Sequence, residues 1–286
     1  MDTKLPNMLL SYLQESKRNT KFFLESITGQ SNNKPEVYDI EKKKNTIICG
    51  DCLKELKKFP DECFDLIIVD PPYMISRKQK YYGLDHVGKR TKDGANLSFD
   101  FGDWDYFSSL KEYLNFTKKW LKECYRILKE TGQIYSFFCK ERHWFLWKWW
   151  EEFGGKSRNV IAWHKTNPVP QIPRGNYQSS IELIFWGTKG RKHTFNCRQC
   201  HNFIETPICA GKERCGHPTQ KPEKVIEYLM NNSSKEGDLV LDPFAGSCTT
   251  AVVAKKLKRN WIMIEINPKY RDIGQQRVDA IPEPLF

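Results

Sequence analysis

The chain has 286 residues, 39% of them hydrophobic, enough for one large α/β domain with a buried core, or such a core with a small insertion. Its formal net charge of +11 favours polyanions, chiefly nucleic acid, although solubility alone would also account for a basic surface. No apolar run has the length of a membrane span, the start of the chain does not read as a secretion signal, and ten cysteines in that setting point to reduced thiols in a cytoplasmic protein rather than a disulfide framework.

Residues 1–44 are polar and basic, hold one candidate amphipathic helix, and read as an N-terminal extension ending in a loop-like "TGQSNNKPE". The regular pattern begins at "NTIICG", a short strand, followed by "DCLKELKKFP", a helix of about two turns closed by Pro60. "FDLIIVD" is a fully buried strand. Residues 74–103 show no period, and a loop that long inside a compact domain is usually functional. The next helix carries Leu110, Leu114, Leu121 and Leu128 on one face, with Gly132 as its stop. "QIYSFF" is a strand, "HWFLWKWWEEFGG" an aromatic helix, and "RNVIAWHK" and "SIELIFWG" are two further strands around a Pro-rich connection. After a basic, Cys-rich stretch, helix, strand, helix, strand and helix follow in "KPEKVIEYLMNNSS", "DLVLDPF", "CTTAVVAKKLK", "NWIMIEI" and "PKYRDIGQQRVDAI". Seven strands alternating with helices predict a mainly parallel sheet covered by helices on both faces. In such sheets ligands sit at the carboxyl ends of the strands, which puts Asp70 and Asp242 in one crevice.

"LIIVDPPYMIS" ends a core strand on Asp70, Pro71, Pro72 and Tyr73. The prolines fix their φ angles, and Asp70 with the Pro71 carbonyl can present clustered acceptors. Such a cluster suits an exocyclic amine with two N–H donors, and Tyr73 offers a face on which a planar base can stack. The plainer alternative is a strand-end turn with a satisfied Asp and a packed Tyr. In "LDPFAGSCTTAVVAKKL" a strand ends at Asp242, a small-residue turn follows, and a helix begins near Ser247 or Cys248. Gly246 permits close backbone approach, and Glu265 follows it by 19 positions (265 − 246), the spacing of a ribose-binding acid. The absence of a phosphate-binding Lys favours S-adenosylmethionine over a dinucleotide. "GHPTQKP" could be ordinary helix capping by Thr219 with Pro222 in the first turn, which leaves the rest of the string unexplained.

The three strings together, Asp70–Tyr73, His217–Pro222 and Phe244–Thr250 in that order, resemble the β-class amino-group DNA methyltransferases over roughly residues 45–280. "TNPVP" and "SFDFGDWD" are also similar to segments of that family. The resemblance implies an S-adenosylmethionine-dependent, Rossmann-like methyltransferase sheet with a circularly permuted motif order. It implies that Asp70 and the Pro71 carbonyl hold the target amine, with Pro72 stiffening the turn and Tyr73 stacking on a flipped base. It assigns the cofactor to Asp51, Thr219, Lys221, Asp242, Phe244, Gly246, Ser247 and Glu265, and needs no metal. Asp at the head of the tetrapeptide leans towards adenine-N6; cytosine-N4 enzymes of the family more often carry Ser there. One departure is Cys248, where family members usually have Gly.

The loop at 76–92 places Arg77, Lys78, Lys80, Lys89 and Arg90 with Tyr81 and Tyr82 beside the tetrapeptide, where they can grip a DNA backbone. In the family the target-recognition region lies where this chain has residues 188–216. That makes a short basic insert, with Arg191, Lys192 and Arg198 as DNA contacts, between a catalytic half at 45–187 and a cofactor half at 217–286. Cys197, Cys200, Cys209 and Cys215 raise a zinc alternative, for which only the first pair has standard spacing. The family also suggests a restriction-modification setting, a companion endonuclease and a homodimer. A non-catalytic or zinc-dependent DNA-binding protein is the alternative of another class.

Overall fold

The computed structural model describes residues 36–74, 105, 107–169 and 177–282. The chain divides into Met1–Val37 and a compact unit, Tyr38–Phe286. The unit starts earlier than residue 45 because Tyr38 is buried, its ring edge-on to Phe59 at 5.2 Å between centroids.

Helix α1 (Ile40–Lys43) leads into strand β1 (Thr46–Cys49). Helix α2 (Cys52–Glu55) runs on as a 3-10 turn to Lys58, and β2 (Phe64–Val69) follows. β2 is the central strand, and all its residues but Asp65 are buried. Ile67 and Val69 face a core with Trp120, Leu121 and Trp150, whereas Leu66 and Ile68 face one with Ile226, Met230 and Val252. A register shift between Phe64 and Leu66 puts Phe64 on the same face as Ile67.

Helix α3 (Leu110–Ile127) is capped by Ser109, whose hydroxyl accepts from the Glu112 amide at 3.2 Å. Its buried stripe is Tyr113, Thr117, Trp120, Leu121, Cys124 and Ile127. Of the expected leucine stripe only Leu121 belongs to it: Leu110 is 47% exposed, Leu114 half-buried, and Leu128 already opens β3 (Leu128–Phe138). The larger rings decide the rotation because they remove more apolar area from water. Gly132 lies inside β3, so it is not the helix stop; Leu128 ends the helix by turning extended.

Helix α4 (His143–Glu152) precedes β4 (Lys156–Lys165) and β5 (Ile181–Thr188). β6 (Phe203–Thr206), helix α5 (Glu223–Ser233), β7 (Leu239–Asp242), helix α6 (Thr249–Lys256), β8 (Asn260–Glu265) and helix α7 (Pro268–Asp279) complete the unit. The sheet order is β1-β8-β7-β2-β3-β5-β4-β6, parallel from β1 to β3 and from β4 to β6, with β5 antiparallel between them. Eight strands stand among the described residues where seven were expected. The extra one, β6, lies in the Cys-rich segment, which thereby joins the sheet edge; four residues are too few to show a period. Among the described residues no helix is long and apolar enough to cross a membrane.

Candidate active site

β2 and β7 are neighbours, with Ile67 opposite Leu241, so Asp70 and Asp242 leave the sheet side by side. A cavity of about 700 Å³ opens there, lined by Asp70, Pro71, Pro72 and Tyr73 on one side and by Asp242 and Phe244–Ser247 on the other. Asp51, Thr219, Lys221 and Glu265 line the same cavity. The twelve catalytic and cofactor residues expected from the sequence thus share one space.

The buried prolines cannot donate, and the chain beyond them is pinned from elsewhere. The buried Asp105 carboxylate accepts from the amides of Tyr73 and Met74, each at 2.7 Å, and Arg142 donates to the Tyr73 carbonyl at 3.3 Å. The Tyr73 hydroxyl donates to Asp70 Oδ1 at 2.6 Å. Lys221, expected at the cofactor, donates to Asp70 Oδ2 and stands 3.6 Å from Glu182, so here it meets the carboxylate of the tetrapeptide. Burial pushes the Asp70 carboxyl up, and Lys221 opposes the rise.

On the other side, Asp242 accepts from the Phe244 amide at 3.0 Å and the Thr250 hydroxyl at 2.7 Å, and burial pushes its carboxyl up to about 7. Phe244 packs edge-on against Phe116 and Trp120. Glu265 is raised by burial and accepts from the amides of Gly246 and Asn267, both at 2.7 Å. Asp51 caps α2, accepting from the Leu53 amide at 2.9 Å. Gly246 has φ +51, and a Cβ there would meet His217 Nε2 at 2.9 Å, so this turn keeps bare backbone against the cavity. Burial pushes the His217 ring down to about 4, so it is neutral at pH 7.

Cys248 adopts φ 58 in the left-handed region, the reason glycine suits this position. Its buried side chain fits because α7 presents Gly274 opposite: a Cβ at 274 would stand 2.3 Å from Cys248 Sγ. Gly274→Ala is expected to destabilise the protein by about 1–3 kcal/mol, and Cys248→Gly in the same chain to recover most of that. Thermal unfolding of the two singles and the double checks it; strictly additive losses would contradict the contact.

Of the expected DNA contacts, Arg77, Lys78, Lys80, Tyr81, Tyr82, Lys89 and Arg90 lie outside the described residues. Arg191, Lys192 and Arg198 are exposed, but the structure does not bring them to the cavity. β5 runs away from it: Leu183 pairs with Phe138 at the cavity, Thr188 with Gln133 at the far end, roughly 17 Å along the strand. Asn196 is tied there to the carbonyls of Asn231, in the last turn of α5, and Ser234, just past it. β6 then returns beside β4 and delivers Ile208, Cys209 and Arg214 to the cavity wall.

Cys197 and Cys200 are joined by a disulfide, contrary to the expectation of reduced thiols throughout. The x2 spacing leaves their Cα atoms 5.8 Å apart, within reach of a bridge as well as of a metal. Among the described residues no group of three His, Cys, Asp or Glu side chains is arranged to hold a metal ion. The sequence reading missed Glu182, Asp105 and Arg142 as site residues. Glu182 had a signal, a single acid inside the apolar run "SIELIFWG"; Asp105 closes "SFDFGDWD", a string noted for its family likeness without a role, and Arg142 acts through a backbone contact that no local pattern announces.

A family model described as DNA methylase, N6_N4_Mtase, matches residues 64–276. The Type II methyltransferase M.HinfI of Haemophilus influenzae is 37% identical over 259 residues, covering 84% of this chain and 70% of that protein. The Type II methyltransferase M2.DpnII of Streptococcus pneumoniae is 34% identical over 253 residues, covering 84% and 91%. Among solved structures, the cytosine-N4-specific PvuII DNA methyltransferase superposes with a TM-score of 0.64 at 20% identity, covering 82% of this chain and 87% of that one. The M1.HpyAVI–SAM complex gives 0.61 at 23% identity, covering 82% and 99%.

Proposed function

The chain belongs to the N6/N4 DNA methylase family, and on that premise we propose that it transfers a methyl group from S-adenosylmethionine to the N6 amino group of adenine in a short DNA sequence, as the modification partner of a restriction endonuclease. The observation that carries the chemistry is the Asp70 carboxylate, half-buried at the end of β2 and facing the same cavity as the Gly246 turn. The choice of adenine rests on Asp, rather than Ser, at the head of the tetrapeptide.

The cavity suits the donor. Gly246 leaves bare backbone where any side chain would collide with His217, and three carboxylates, Asp51, Asp242 and Glu265, line the same cavity with Phe244. When bound, the donor supplies an electrophilic methyl group on a sulfonium. Asp51, Asp242, Ser247 and Glu265 would hold its polar parts, and Thr219 its methionine end. Asp70 accepts an N–H of the target amine and concentrates its lone pair for attack, while the fixed turn of Pro71 and Pro72 keeps the acceptor in place. Tyr73 supplies both a hydroxyl for Asp70 and a ring for the extruded base. Arg77, Lys78, Lys80, Lys89 and Arg90 would grip the DNA backbone, and a homodimer is part of this reading.

The test is to incubate the purified protein with unmethylated DNA and labelled S-adenosylmethionine, digest to nucleosides and separate them. Label in N6-methyladenine nucleoside is expected. Label in the N4-methylcytosine nucleoside would overturn the base and leave the mechanism. No label on double- or single-stranded DNA would overturn the role given to Asp70.

A further inference from the structure

Four charged side chains form a row of alternating sign at the cavity wall. Lys165 closes β4, Glu182 lies near the start of β5, Lys221 precedes α5 and Asp70 follows β2. Lys165 Nζ is 3.0 Å from Glu182 Oε1, Glu182 Oε2 is 3.6 Å from Lys221 Nζ, and Lys221 donates to Asp70. The Lys221 side chain is 9% exposed, and its ammonium also lies over the rings of Phe137 at 5.0 Å and Tyr73 at 5.6 Å. Glu182 and Lys165 line the cavity but have no part in holding the donor or the amine as assigned above.

We propose that Glu182 is a positioning residue for methyl transfer: by sharing the Lys221 ammonium with Asp70, it stops Lys221 from taking up the whole acceptor strength of the carboxylate that must receive the amine. Partly desolvating four charges is costly, and such a half-buried ionic row is weak evidence for stability alone. Its effect falls on the one carboxylate the reaction uses. The inference rests on the assignment of Asp70 as amine acceptor.

Asp70 meets Tyr73, Lys221 and the fields of Glu182 and, from β7, Asp242; Glu182 meets Lys165 and Lys221; neutral His217 lies near Lys221. Burial raises Asp70, Lys221 lowers it and Glu182 raises it again. Burial pushes Glu182 up too, but the two lysines hold it below its ordinary range.

The working form of Asp70 is ionised, so activity falls as pH drops through its titration. Glu182→Gln removes a negative charge near Asp70. The acid limb of kcat/KM should therefore move to lower pH by roughly one unit, while kcat at neutral pH falls roughly three- to tenfold with KM for the donor unchanged. Lys165→Gln leaves the Glu182 charge unscreened and should move the acid limb the opposite way. Labelled methyl transfer to unmethylated plasmid DNA across pH reads both. Opposite shifts are the expected result. An unmoved limb in both variants, or shifts of the same sign, would overturn the proposal, and if Glu182→Gln does not fold, the direction for Lys165→Gln decides. Asp70→Ala is run alongside: if it stays active, the acceptor assignment has failed; if it is inactive and the limbs do not move, only the role of Glu182 has.

Discussion

Asp70→Ala is expected to reduce methyl transfer by roughly a thousandfold or more while donor affinity stays within about threefold. The acceptor is removed from the point where charge develops on the attacking nitrogen. The donor side of the cavity loses nothing: the Asp242 and Glu265 contacts are made with Phe244, Thr250, Gly246 and Asn267, none of which touches Asp70. Removing one member of a buried ion pair usually strands the other. Here Lys221 keeps Glu182, and the turn after the prolines keeps Asp105 and Arg142, so the variant should fold. Asp70→Asn retains an acceptor for the Tyr73 hydroxyl without the negative charge and should fall between the two. Equilibrium binding of labelled donor beside single-turnover transfer separates the effects. Loss of donor binding in Asp70→Ala would sink the catalytic assignment.

Glu265→Ala should act on the other half of the reaction. Its carboxylate satisfies two backbone amides at 2.7 Å, and the Gly246 amide belongs to the turn that must approach the donor. Losing a charged acceptor from a buried amide costs about 1.5–3 kcal/mol, so donor Kd should rise roughly ten- to a hundredfold, with kcat at saturating donor changed far less. Glu265→Gln keeps one acceptor and should recover part of the affinity. An unchanged Kd for Glu265→Ala would contradict the assignment.

The central strand, the alternation of helix and strand and the shared crevice of Asp70 and Asp242 were legible because long apolar runs and strand-end acids carry their own signal. The rotation of α3 was not, since it follows from competition between leucines and aromatic rings for one core. β6 was too short to announce itself. Lys221 was legible as a cavity residue through its motif, but its partner was not: the ion pair with Asp70 joins positions 151 apart in sequence, on two segments that no local pattern brings together. The antiparallel run of β5 carries Arg191, Lys192 and Arg198, expected as DNA contacts from the place of their segment in the family, away from the cavity.

The contact between Cys248 and Gly274 constrains how this sequence could have arisen. With any side chain at 274, a cysteine at 248 has nowhere to put its sulfur; with glycine at both, the turn is unstrained and a small void lies open. A lineage that began with glycine at 248 gains the thiol at least cost where glycine already stands at 274 or arrives together with it. Grafting Cys248 alone into a relative that carries a larger residue opposite should fail, and the order of the two changes should be recoverable from the relatives that carry only one of them.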